Sequence, residues 1–60
     1  MKYITFNMGV PASSDLIEVV GYGVCQFQKH YENGDILLYM GGNRMFTVDG
    51  SNRWRYVSYP

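Results

Sequence analysis

The chain has 60 residues, five Lys and Arg against five Asp and Glu, and ten aromatic side chains (one Trp, six Tyr and three Phe). Zero net charge argues against duplex DNA or an anionic membrane as the main partner, because such binding rests on many phosphate contacts. The single cysteine, Cys25, excludes a disulfide within the monomer, and Cys25 with His30 supplies too few soft ligands for a tetrahedral zinc site.

A chain of this length forms one domain, residues 1–60, and buries only about 60% of its unfolded surface. Stability is therefore marginal, and a protein partner or oligomerisation is the expected source of more. The lone cysteine fits a reducing compartment. The apolar run after Met1-Lys2 is short and broken by Thr5 and Asn7, unlike a signal peptide. No run approaches the roughly 20 apolar residues of a membrane span. The expected location is cytoplasmic, with no membrane partner and no cofactor.

Residues 2–8 alternate, with Ile4, Phe6 and Met8 on one side, which predicts a half-buried strand. Gly9-Val10-Pro11-Ala12 then breaks it. Residues 14–21 admit more than one reading. Ser13, Ser14 and Asp15 are good helix N-caps, Glu18 has capping-box spacing from Asp15, and Gly21 suits a C-terminal cap, so a short helix is expected. Ile17, Val19 and Val20 are β-branched and favour a strand. Ile17, Val20, Val24, Phe27 and Tyr31 also fall at helical spacing, although Gly21 and Gly23 would each cost a continuous helix about 1 kcal/mol. The ten residues from Ser13 to Tyr22, with Ser-Ser and Gly-Tyr, resemble the opening of small KTSC-type domains. The Lys-Thr-Ser-Cys-like part of that family is missing here, so the resemblance carries no expectation of fold or activity.

Residues 22–59 read as a four-stranded antiparallel meander. Asn33-Gly34, Gly41-Gly42-Asn43 and Asp49-Gly50-Ser51-Asn52 separate apolar runs at 24–32, 35–40, 44–48 and 53–59. The predicted fold class is mainly β: α+β with one short helix, or an all-β small barrel.

Asn-Gly is a strong type I′ hairpin signal, and a two-residue loop there pairs Tyr31 with Ile36, Lys29 with Leu38 and Phe27 with Met40. Directly opposed residues share a face. Carried through the next two turns, this register predicts a core face of Cys25, Phe27, Tyr31, Ile36, Leu38, Met40, Met45, Thr47, Trp54 and Tyr56, interrupted only by Lys29. The other face receives Val24, Gln26, Gln28 and His30 from the first strand, then Leu37, Tyr39, Arg44, Phe46 and Val48, and finally Arg53, Arg55, Val57 and Tyr59. Leu37, Tyr39, Phe46 and Val48 are unusual on a solvated face. Either residues 2–21 cover them, or they form a binding patch.

Catalytic chemistry finds little support. Cys25 and His30 are the one nucleophile–base pair on offer, and this register sets them on opposite faces. Gln28, His30 and Glu32 read as a solvated strand edge. Asp35 and Asp49 flank glycine turns, where aspartate caps its own backbone. Gly41-Gly42 leads into another strand, whereas a phosphate-cradling loop leads into a helix.

The expected site is therefore partner-binding: Leu37, Tyr39, Arg44, Phe46, Arg53 and Arg55. Arginine beside aromatics suits a protein interface and also suits stacking on single-stranded bases. The expected function is a non-enzymatic module that binds a larger protein. By analogy with its size class, it would be an inhibitor or adaptor of the kind encoded by phages and mobile elements. The alternative is a single-stranded nucleic-acid binder using the same Arg/aromatic face.

Overall fold

The computed structural model describes residues 2–57, so Tyr59 lies outside the described residues. Within them the fold is all-β. Six strands, β1 (Ile4–Thr5), β2 (Leu16–Val19), β3 (Gly23–His30), β4 (Ile36–Gly41), β5 (Arg44–Val48) and β6 (Arg53–Tyr56), form one antiparallel sheet. Its order is β1-β6-β2-β3-β4-β5. β1 and β5 are edges, so the sheet is open and does not close into a barrel.

The segment at 14–21 contains a strand, not a helix. Ile17 and Val19 are both buried and lie two residues apart, while Glu18 between them is half-exposed, which is strand periodicity. The would-be N-cap residues form a turn: Asp15 N–H donates to the Ala12 carbonyl and Ser14 N–H to the Phe27 carbonyl. Gly21 and Gly23 take φ values of 87° and 86°, which ends the continuous-helix reading. Ser14 itself sits at φ 74°, a conformation costly for a residue with a Cβ. Ser14→Gly is therefore expected to raise unfolding stability by about 0.5–1 kcal/mol in a denaturant titration, after the glycine's own entropy cost is offset. A loss of stability would mean that the Ser14 side chain contributes more than the backbone strain costs.

The N-terminal strand is shorter than residues 2–8, because Met8 and Gly9 N–H both turn back to the Thr5 carbonyl. The 31–35 hairpin also differs from the type I′ expectation. Gly34 N–H donates to the Tyr31 carbonyl at 3.0 Å, Tyr31 N–H donates to the Asp35 carbonyl at 2.9 Å, and only Gly34 has positive φ. This is the three-residue loop that ends on a left-handed glycine. The pairing then shifts at Gln28, so that Phe27 lies opposite Leu38. At Phe27 the predicted partner, Met40, lies two residues away, an even difference that keeps Cys25 and Phe27 on the core face. At Lys29 and His30 the difference is one residue, so Lys29, opposite Leu37, turns outward with Tyr31, and His30, opposite Ile36, turns to the core side.

The next hairpin changes faces. Gly42 and Asn43 have φ values of 57° and 63°, the positive pair a type I′ turn requires, with Gly41 opposite Arg44. Beyond them Tyr39 lies opposite Met45, so Met40 has no partner and forms a β-bulge with Gly41 at φ 95°. That one extra residue reverses β5: Phe46 lies opposite Leu38 and Val48 opposite Ile36. Arg44, Phe46 and Val48 thus share the core side, and Met45 and Thr47 take the other, the opposite of the simple register.

The meander holds for β3–β4–β5. β6 leaves it and inserts between β1 and β2, with Trp54 opposite both Ile4 and Val19. Trp54 is core, as expected. The buried set is Phe6, Ile17, Val19, Cys25, Phe27, Ile36, Leu38, Val48 and Trp54, with Phe46 packed against it. Tyr31, Met40 and Tyr56 are exposed.

The sheet curls around this core. In a flat sheet β1 and β3 would lie about 14 Å apart, three strand spacings. Yet Phe6, which follows β1, stacks on Phe27 of β3 at 6.4 Å. Phe6 and Asn7 N–H also donate to the Asn52 and Gly50 carbonyls, tying the first strand to the β5–β6 connection.

Candidate protein-interaction face

The curl leaves an outer face with no second layer among the described residues. One cross-strand row runs over it: Leu16 lies opposite Gln26, Gln26 opposite Tyr39, and Tyr39 opposite Met45. Val24 and Leu37 flank this row on neighbouring pairs. Leu16, Val24 and Met45 are 47%, 53% and 59% exposed. Tyr39 and Leu37 are half-buried. A shallow groove beside the row is lined by Ser14, Leu16, Val24, Gln26, Tyr39 and Met40. The Gln26 amide, which donates to the Ser14 carbonyl at 3.0 Å, fixes the rim of that groove.

Charge surrounds the row unevenly. Lys29 shares a cross-strand pair with Leu37, and Arg53 and Arg55 occupy the same outer face on β6. Glu18 is the carboxylate on that face, and it is engaged. Arg55 Nε donates to it at 3.2 Å and Tyr3 hydroxyl donates at 3.0 Å. The Arg55 guanidinium also lies 4.6 Å from the Tyr3 ring centre. The Arg55 hydrogen bond, then the Tyr3 one, holds the Glu18 carboxyl below its ordinary range. The Tyr3 hydroxyl is shifted upward, by desolvation first and by the Glu18 hydrogen bond next.

Of the six expected contact residues, Leu37, Tyr39, Arg53 and Arg55 lie on the outer face. Phe46 does not: it faces the core side and stacks on Tyr22 at 5.0 Å. Arg44 lies on that side too, exposed at the start of β5. Arg55 is part of the Tyr3–Glu18 cluster. Leu16, Val24 and Met45 complete the apolar surface and were outside the expected set. The signal for Met45 was available in Gly41, a third glycine-type position before the Gly42-Asn43 turn, which marks a bulge.

The remaining polar clusters have local roles. Asp49 accepts from Ser51 N–H at 2.8 Å and from the Ser51 hydroxyl, contacts that lower its carboxyl pKa. The Asn33 side-chain carbonyl accepts from Asp35 N–H. Cys25 is buried, and burial pushes its thiol pKa up. His30 is exposed and lies five residues along β3, about 16 Å at strand rise, so the pair is beyond hydrogen-bond reach. Among the described residues no group of three or more His, Cys, Asp and Glu side chains could hold a metal ion. No helix among them is long and apolar enough to cross a membrane.

In comparisons with known proteins, the chain matches no family model, no curated protein and no solved structure.

Proposed function

We propose that this protein is a non-enzymatic binding module whose outer sheet face docks on a larger protein, in the manner of a small inhibitor or adaptor. The supporting observation is the exposed row Leu16–Gln26–Tyr39–Met45 with Val24 and Leu37 beside it. Apolar and aromatic side chains at the centre with arginines around them are the composition of interface cores. The matching partner surface is apolar at its centre and acidic at its rim, because Lys29, Arg53 and Arg55 outnumber Glu18 on this face. Tyr39 is the anchor: it sits mid-row, with Gln26 and Met45 on either side.

A photo-reactive phenylalanine analogue at position 39 is expected to cross-link the partner from nuclease-treated lysate, while the same group at position 51, in the exposed β5–β6 turn, does not. Against the captured protein, Tyr39→Ala should weaken binding by about 1–3 kcal/mol while leaving the melting curve unchanged. Unchanged affinity would remove the outer face from the interface. The salt series separates the nucleic-acid alternative. A protein partner gives a shallow dependence, whereas phosphate contacts through the outer-face cations give a log–log slope of roughly −2 to −3.

A further inference from the structure

The two edges of the sheet are unlike. β1 is two residues long, whereas β5 runs for five residues, Arg44–Val48, and is hydrogen-bonded on one side only, to β4. Natural edge strands are usually blunted by proline, lysine, a bulge or an inward charge. β5 has none of these along its middle: its one charge is at the first residue, and the bulge belongs to β4. Apolar side chains line this edge on both faces, with exposed Met45 outside and half-buried Phe46 inside, beside Tyr22 and Met40. Another extended strand satisfies such a row of backbone groups more completely than any other element.

We propose that the occupant is a second copy of this chain, paired through antiparallel β5 strands about a twofold axis. An axis normal to the sheet keeps inner side with inner side, so only registers with an even residue sum are allowed. The register that uses all five residues places Phe46 on the axis. Phe46 then meets its own copy, Arg44 meets Val48 of the other chain, and Met45 meets Thr47. No like charges oppose each other, and the axis carries an aromatic cross-strand pair. Shifting by two residues in one direction sets Met45 against Asp49, and in the other leaves Val48 unpaired. Zero net charge removes long-range repulsion between copies. The pairing joins two six-stranded sheets into one and brings both outer rows onto a single surface.

A strand-to-strand contact is small, so association is weak and concentration-dependent. The expected result is a sedimentation-equilibrium mass that rises from one chain towards two over a micromolar-to-millimolar series of the purified protein. Amide exchange should slow with concentration in β5 and stay unchanged in β1. Thr47→Lys puts a charge on the edge twice per dimer and should weaken association by about tenfold with an unchanged circular dichroism spectrum. A protein monomeric at millimolar concentration overturns the proposal. So does a dimer whose β5 amides exchange as fast as in the monomer, which would place the contact elsewhere. If Thr47→Lys fails to fold, the exchange measurement on the parent chain still decides. No other partner is present in these measurements, so they stand or fall independently of the docking function.

Discussion

Trp54→Ala is expected to unfold the domain. Trp54 is only 4% exposed and joins β1 to β2: it lies opposite Ile4 on one side and Val19 on the other. Its ring stacks on Phe6 at 5.9 Å and meets Tyr56 edge-on at 5.1 Å. Its indole N–H donates to the Gly9 carbonyl at 2.9 Å, which fixes the loop after β1. Truncation removes these contacts together and leaves a cavity, at a cost of about 3–5 kcal/mol. A domain this small has little more stability than that. Circular dichroism of the variant should show no cooperative melt. Trp54→Phe refills most of the volume but strands the Gly9 carbonyl, so it should fold with a loss of about 1–2 kcal/mol. If Trp54→Ala melts like the parent, the junction at β6 contributes far less than its burial implies.

Gly41→Val should be the most damaging change on the surface. Nothing lies within 4 Å of a Cβ built at Gly41, so no clash is involved. The cost comes from the backbone: φ is 95°, where a β-branched residue is a strong outlier. Strain of this kind costs about 1–3 kcal/mol. Relieving it by straightening β4 would remove the bulge and turn β5 over. That would expel Phe46 and Val48 from the core and bring in Met45 and Thr47, so the variant has no cheap escape. Chemical denaturation should show the loss, and Gly41→Asn, which tolerates positive φ better, should lose less. Equal stability of Gly41→Val and the parent would mean that the bulge is held by β3 and β5 without help from the glycine.

Much of this fold is legible in the chain. The glycine- and asparagine-bearing turns announce the strands, and the alternation of Cys25 with Phe27 and of Ile36 with Leu38 identifies four core residues correctly. The three-residue loop at 32–34 makes the Asn33-Gly34 register wrong by one residue at Lys29 and His30, which reverses their faces, and the bulge at Gln28 makes the error two at Phe27, which restores the face there. The bulge at Met40–Gly41 is an odd error, and it misplaced all of β5, Phe46 included. A β5–β6 pairing also predicts an inward Trp54, but β6 pairs with β1 and β2, and it is those strands that bury it. Helix capping at 13–18 misled because Ser, Asp and Glu serve turns as readily as helix ends, and the β-branched Ile17 and Val19 decided the outcome. The apolar part of the candidate face was half legible for the same reason. Leu37 and Tyr39 lie before the bulge, and Met45 lies after it.

The insertion of β6 between β1 and β2 also sets an order of events in folding. The β3–β4 and β4–β5 hairpins join neighbours in the chain and close at low entropic cost, whereas β6 must return to residues near the opposite terminus. The hairpins are thus expected to collapse early, with the last strand docking in the slow step. Trp54 makes that step visible: in stopped-flow refolding its fluorescence should lag behind amide protection in β4. Simultaneous signals would instead mark a single concerted barrier. Until β6 docks, Ile17 and Val19 remain uncovered beside an open gap in the sheet. The half-assembled chain is therefore the species most exposed to aggregation, and the rate of that final closure governs its yield.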